Sequence, residues 1–272
     1  MLAPFSVLEP TAEETPLIVE IPHAGLLVDG PSLAHLAAPA RSLGRDADLY
    51  VDDLYADAPT VGATVVVAHL SRYVVDLNRG EKDVDGESVE GAPSHTRATR
   101  GIIWRLTSDG AKVLDRPLPK AELERRLVSF YRPYHEALAA AIDRKRARFG
   151  FAVVLAAHSM PSVGRAGHGD PHAVRADVVP GTRGRSSAAA PFIDAVDAHA
   201  RAPPLTVAHD EPYQGGFTTQ HYGRPAGGVH VVQVELARRL YMDESTLRKT
   251  AGFDGTRTFC TELARTLAAV RP

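Results

Sequence analysis

Phe151-Ala-Val-Val-Leu-Ala-Ala-His-Ser-Met160 is the stretch whose reading fixes the layout of the chain. Its first seven residues are small or apolar, with adjacent valines, and read as a strand buried on both faces. The long helical stretch before it favours a parallel α/β sheet. His158 arrives where that strand is expected to end. Ligands in open α/β sheets collect outside the carboxyl ends of strands, so this is where chemistry is usually found. A lone histidine there is more often simply packed or hydrogen-bonded. Similar placements elsewhere in the chain shift that balance.

Working outward, Leu17-Ile-Val-Glu-Ile21 reads as a strand, and Pro22-His23-Ala-Gly25 turns away from it. Val229-His-Val-Val-Gln-Val-Glu235 is a further strand, with Val229, Val231, Gln233 and Glu235 on one face. Ala63-Thr-Val-Val-Val-Ala-His69 is another. Asp46-Ala-Asp48 is expected to open a helix running through Tyr55, where either aspartate could serve as a cap. Ser71 to Arg79 reads as an extended segment, with period-2 spacing placing Arg72 and Asp76 on one face. That polar face is either solvated or lines a charged pocket.

Residues 26–45 read as an irregular connection and 80–112 as a long surface excursion holding one short hairpin. Leu118 to about Arg148 is the clearest helical stretch, kinked or divided at Pro133. Residues 161–187 read as irregular, Ala188 to His199 as a helix and Leu205 to His209 as a strand. Gly215 to Arg224 reads as a polar loop, and a helix from about Thr256 to Val270 closes the chain. The expected fold is α/β: a single domain over 1–272 with a mixed, mostly parallel central sheet flanked by helices.

The 272 residues can bury a sizeable core without disulfides, and the single cysteine, Cys260, fits a reducing compartment. A net charge of -2 argues against nucleic-acid or anionic-membrane partners. No signal peptide or run long enough to span a membrane is visible, so the expected address is the cytoplasm. No Gly-x-Gly-x-x-Gly follows a strand and no phosphate-binding loop is present. Ser159 stands outside any Gly-x-Ser-x-Gly, which argues against a serine nucleophile.

His23, His158 and Glu235 sit at or just past the ends of apolar strands, which share an edge when strands are parallel. Two histidines and a carboxylate form a zinc-binding set that leaves one position for water. Asp48, shortly after His23, is the natural third ligand, which frees Glu235 to act as general base. Iron or cobalt also suits such donors.

The chain resembles the N-formylglutamate amidohydrolases. The likeness is carried by Ile21-Pro-His-Ala-Gly25, Asp46 to Tyr55, Ser71-Arg-Tyr-Val-Val-Asp-Leu-Asn-Arg79, and Ala157-His-Ser-Met160. Gly215-Gly-Phe-Thr-Thr-Gln-His-Tyr-Gly223 and Val229 to Glu244 complete it. The resemblance implies a fold like that of zinc carboxypeptidases and aspartoacylase, with one Zn2+ per chain at the sheet edge. It implies His23, Asp48 and His158 as ligands, Asp46 as the competing acid, and Glu235 as the carboxylate that activates water. The implied substrate is a small anionic N-acyl amino acid, N-formyl-L-glutamate foremost. The chain departs from the family pattern at Arg100-Gly-Ile-Ile-Trp-Arg-Leu-Thr-Ser-Asp109, where a Gly-Leu-x-Pro-Thr-Thr-like loop is usual.

A dicarboxylate needs cationic forks. Arg72 and Arg79 are the first candidates, with Arg105, Arg165 and Arg183 in reserve; Arg72 is also placed to steady a developing oxyanion. Asn78 and the loop residues Thr218, Thr219 and His221 are candidates for polar substrate groups. The competing readings are an amidohydrolase for another N-acyl amino acid or small amide, and a metal-stabilised protein that binds anionic metabolites. A free water-activating carboxylate separates enzyme from binder, because a binder has no use for Glu235.

Overall fold

The computed structural model describes residues 3–92 and 99–272. Valine-rich runs form the strands β1 (Phe5–Leu8), β2 (Leu17–Ile21), β3 (Thr64–Ala68), β4 (Ala152–Met160), β5 (Val178–Gly181) and β6 (Val229–Ala237). They pair in the order β1-β3-β2-β4-β6-β5. The inner four run parallel, and β1 and β5 close the two edges antiparallel. Every residue of β2, β3, β4 and β6 is buried, as a parallel sheet covered on both faces requires.

The helices are α1 (Gly30–Leu33), α2 (Ala40–Asp46), α3 (Val51–Leu54), α4 (Lys120–Arg126), α5 (Arg132–Phe149), α6 (Ala190–Arg201), α7 (Phe217–Tyr222) and α8 (Phe253–Ala269). Alternation along the strands divides the core in two. Val19, Val65, Val153, Leu155 and Val232 pack with α3, α6 and α8 on one face. Ile18, Val66, Val154 and Val231 pack with α5 and with side chains from Leu70 to Val89 and from Ile102 to Leu114 on the other. Extending that second face by steps of two brings Glu20, His158, Gln233 and Glu235 to it, all buried.

Several expectations are corrected. His158 and Glu235 lie inside their strands, which run on to Met160 and Ala237, and the two are directly paired. Asp46 ends α2 instead of opening a helix, so Asp48 sits in the α2–α3 loop. The span 71–79 is not extended: Val74 N–H donates to Ser71 O in a turn. Residues 99–113 are no surface excursion, because Ile102, Ile103, Trp104 and Val113 are buried in the second core.

The expected helix from Leu118 divides at a π-helical turn over Leu127–Tyr131, just before Pro133. Pro133 lacks an N–H, and the first turn of α5 tolerates it. Strand β5 had no signature, being short and holding Pro180, which an edge strand accepts. Leu205–His209 contributes only the bridge Val207 to Val178. Part of the polar loop is the helix α7.

Candidate active site

Pro22-His23 turns off the end of β2, and the Asp48 N–H donates to the His23 carbonyl at 2.9 Å. That backbone bond brings the α2–α3 loop against the end of β2. Asp48 Oδ2 then lies 3.0 Å from His158 Nδ1 and 3.7 Å from His23 Nδ1. Ligand atoms of His23, Asp48 and His158 all fall within 4.8 Å of one another, and all three residues are buried.

Asp76 fixes the His23 ring. Its Oδ1 accepts from His23 Nε2 at 2.8 Å and from the Asn78 N–H at 2.9 Å. Its Oδ2 accepts from Trp104 Nε1 at 2.8 Å and Arg72 Nη2 at 3.0 Å. Burial alone would raise this carboxyl, but the charges of Arg72 and Arg79 and the hydrogen bond from His23 hold it well below the ordinary range. A carboxylate can only accept, so Nε2 carries the ring hydrogen and Nδ1 presents a lone pair. That Nδ1 is buried without a hydrogen-bond partner, on the side of Asp48.

Burial opposes ionisation of Asp48 too, yet its hydrogen bond to His158 and the nearby His23 ring hold it well below the ordinary carboxylate range. His158 moves the opposite way: burial would lower it, but Asp48 and Glu235 raise it. An environment that favours a proton between these groups also favours a divalent cation. The second Asp48 oxygen is held by Arg238 Nη2 at 3.2 Å. Two imidazoles and one carboxylate, with a buried carboxylate behind one imidazole, suit zinc and leave a position for water.

Glu235 stands opposite His158 in the β4–β6 ladder. Gln233 Nε2 donates to its Oε1 at 3.0 Å, and burial raises its pKa above the ordinary glutamate value. Gln233 Oε1 in turn accepts from Gly216 N–H at 2.9 Å and Asn78 Nδ2 at 3.3 Å. The same amide nitrogen is 3.3 Å from His158 Nε2. A Cβ on Gly216 would stand 2.4 Å from it, so only glycine fits.

These groups line a cavity of about 650 Å³. Arg72, Asn78 and Arg79 are on its wall; Arg105, Arg165, Arg183, Thr218, Thr219 and His221 are not. Arg105 is paired with Asp85 and Glu87. Arg165 donates to Asp46. Asp46 also accepts from Tyr73 Oη at 2.6 Å and from the Ser108 N–H, and lies outside the imidazole cluster. The Thr218 N–H donates to Asn78 Oδ1, Thr219 Oγ1 to the Gly216 carbonyl, and His221 stacks on Phe217. Arg183 reaches the Gly215 carbonyl.

The sequence reading did not single out Asp76, Gln233, Arg238 or Trp104 as site residues. For Gln233, the alternation that placed it beside Glu235 was the available signal. His168, which follows no apolar strand in the sequence, also lines the cavity.

The fold and the site together define an α/β protein with a candidate metal centre and a free carboxylate at the carboxyl edge of its parallel strands. A family model described as N-formylglutamate amidohydrolase matches residues 15–242, and the chain belongs to that family. It is 34% identical over 238 residues to an N-formylglutamate deformylase of Pseudomonas putida, covering 85% of this chain and 83% of that relative. A second deformylase, of Pseudomonas aeruginosa, is 35% identical over 237 residues, 84% of this chain and 83% of its own. The crystal structure of an N-formylglutamate amidohydrolase from Ralstonia eutropha JMP134 superposes with a TM-score of 0.90 at 33% identity, covering 98% of both chains. A gene product of Agrobacterium tumefaciens shares the fold at a TM-score of 0.67 and 22% identity, over 96% of this chain and 93% of its own.

Proposed function

We propose that the protein is a metal-dependent amidohydrolase that cleaves an N-formyl amino acid, N-formyl-L-glutamate foremost, to formate and the free amine. The observation that carries the reading is the unpartnered, buried His23 Nδ1 on the side of the Asp48 oxygen that His158 also contacts. The family membership and the names of the two Pseudomonas relatives supply the substrate. His23, Asp48 and His158 would hold one ion, Zn2+ by donor chemistry. A bound zinc ion would acidify a water ligand toward a pKa of about 7 and polarise a carbonyl oxygen.

Glu235 supplies the proton transfers. Its carboxylate takes a proton from the attacking water as the C–O bond forms at the formyl carbon. The same proton then passes to the departing nitrogen as the C–N bond breaks, leaving formate and an amine. Gln233 holds one Glu235 oxygen during both transfers. Arg72, fixed by Asp76 and stacked 4.5 Å over Trp104, offers a guanidinium to the tetrahedral oxyanion. Asn78 and Arg79 line the space left for the substrate. Thr218 and Thr219 support that wall through Asn78 and Gly216. Arg105, Arg165 and His221 take no part.

The proposal extends to the whole chain, 1–272, acting as one domain, with the carboxypeptidase- and aspartoacylase-like arrangement that the resemblance implies. No helix among the described residues is long and apolar enough to cross a membrane. The departure at residues 100–109 favours a second reading, the same chemistry on another N-acyl amino acid. Formate release by the zinc-loaded protein from a panel of N-formyl and N-acyl amino acids decides between them. Absence of turnover on every member would refute both.

A further inference from the structure

The cavity wall carries the side chains of Arg45, Arg72, Arg79, Arg100 and Arg238. Three of these guanidinium groups are neutralised within the protein: Arg45 by Asp109, Arg72 by Asp76 and Arg238 by Asp48. Arg79 and Arg100 form no ion pair with any carboxylate among the described residues, and residues 93–98 contain no Asp or Glu. Of the acids on the same wall, Glu211 and Glu235 form no ion pair among the described residues, and two others are committed elsewhere. Asp170 is paired with Arg175, and Asp46 accepts from Tyr73, Ser108 and Arg165.

Arg79 and Arg100 are held by backbone oxygens and one hydroxyl, so neither guanidinium is capped by a carboxylate. Arg79 Nε donates to the Arg100 carbonyl at 3.1 Å and its Nη1 to the Asn78 carbonyl at 2.9 Å. Arg100 Nη1 donates to Ser108 Oγ at 3.3 Å, and its Nη2 to the Gly167 carbonyl. The Arg100 guanidinium rests 5.6 Å from the Trp104 ring, on which Arg72 also lies. Burial and the charge of Arg72 push its pKa below the ordinary range, as an unpaired, partly desolvated cation requires. Two unpaired cations on one wall match a ligand with two carboxylates.

Their order follows from the chain. Arg79 adjoins Asn78, which touches His158, so it belongs to the end of the cavity near the metal ligands. Arg100 reaches across to the exposed Gly167, next to the cavity-lining His168, Gly169 and Asp170. In an N-formyl amino acid the α-carboxylate is two bonds from the scissile nitrogen, and a side-chain carboxylate is farther away. We propose that Arg100 is the specificity-determining residue for the distal carboxylate of a dicarboxylate substrate, with Arg79 taking the carboxylate beside the scissile amide. This rests on the amidohydrolase reading for its relevance to catalysis, but its test does not.

Trp104 is the sole tryptophan, so its emission reports ligand at Arg100 directly. The zinc-loaded full chain is titrated with glutarate and with its monoamide glutaramate, in which a neutral amide replaces one of the two carboxylates, in the wild type and in Arg100→Met. The ratio of the two affinities is read within each protein, so a fraction of misfolded variant cancels. Loss of a charged fork is expected to narrow the glutarate preference by about 10- to 100-fold. A wild type without preference for glutarate, or a variant that keeps it, overturns the inference. If the Met variant does not fold, Arg100→Gln, which can still donate to the Gly167 carbonyl, is read by the same criterion. Formate release from N-formyl-L-glutamate is measured separately on the wild type. Its absence removes N-formyl-L-glutamate as the substrate while leaving the anion site standing.

Discussion

His23 Nε2 and Asp76 Oδ1 are 2.8 Å apart, deep in the protein, and that bond sets which ring nitrogen faces Asp48. A carboxylate in this position fixes the tautomer of a ligand histidine and raises its basicity. Asp76→Asn is therefore expected to weaken zinc affinity by about 10- to 100-fold. Competition with a chelator of known affinity checks this. An unchanged affinity would separate Asp76 from metal binding.

His158→Ala removes a ligand outright. Elemental analysis of the purified variant should find well under one equivalent of zinc. Retention of a full equivalent would show that the ion sits elsewhere or that His158 is dispensable.

Glu235→Gln keeps the shape and the contact with Gln233 but cannot accept the proton of water. It should bind zinc like the parent and lose about 10²- to 10⁴-fold in turnover. A rate close to the parent's would remove Glu235 from the mechanism.

Gly216 lies so close to Asn78 that an added methyl must displace the amide. Gly216→Ala is expected to cost about 1–3 kcal/mol and lower the melting temperature by a few degrees. Because Asn78 contacts His158 and Gln233, its KM should also rise. A variant of parental stability would mean that the loop shifts without penalty.

Half-buried His135 gives the metal-free protein a pH signature. Its Nε2 lies 3.0 Å from the Leu77 carbonyl, to which it donates, and burial lowers its pKa from 6.5 to about 4. Between those values the unfolded chain binds more protons than the folded one, so stability rises with pH. The contribution is complete above about pH 6.5 and is lost as pH falls toward 4, on the order of 3 kcal/mol at most. Urea midpoints measured from pH 7 to 4.5 should fall more steeply for the parent than for His135→Gln. Parallel curves would contradict this.

How far the sequence reveals such a site depends on the range of the interactions that build it. The four parallel strands are readable because burial on both faces demands uninterrupted apolar runs, which Val153, Val154 and Leu155 supply in β4. His23 and His158 are readable because each follows a mostly apolar run. Asp76 and Arg238 are harder, since their partners lie 53 and 190 residues away and no local spacing announces them. Strands β1 and β5 have only 4 residues each, too few for periodicity, and exist through their neighbours. Trp104 and Arg100 lie in a stretch rich in turn-forming residues whose burial comes from tertiary packing alone.

The pairing of His158 with Glu235 across β4 and β6 has an evolutionary corollary. Side chains alternate between faces, so a slip of one step in either strand would point Ser159 or Leu236 toward the reaction chamber instead. Selection for turnover therefore acts directly on strand alignment. Insertions or deletions within either strand should be purged, while those in the surrounding loops are free to accumulate and diversify what the enzyme accepts.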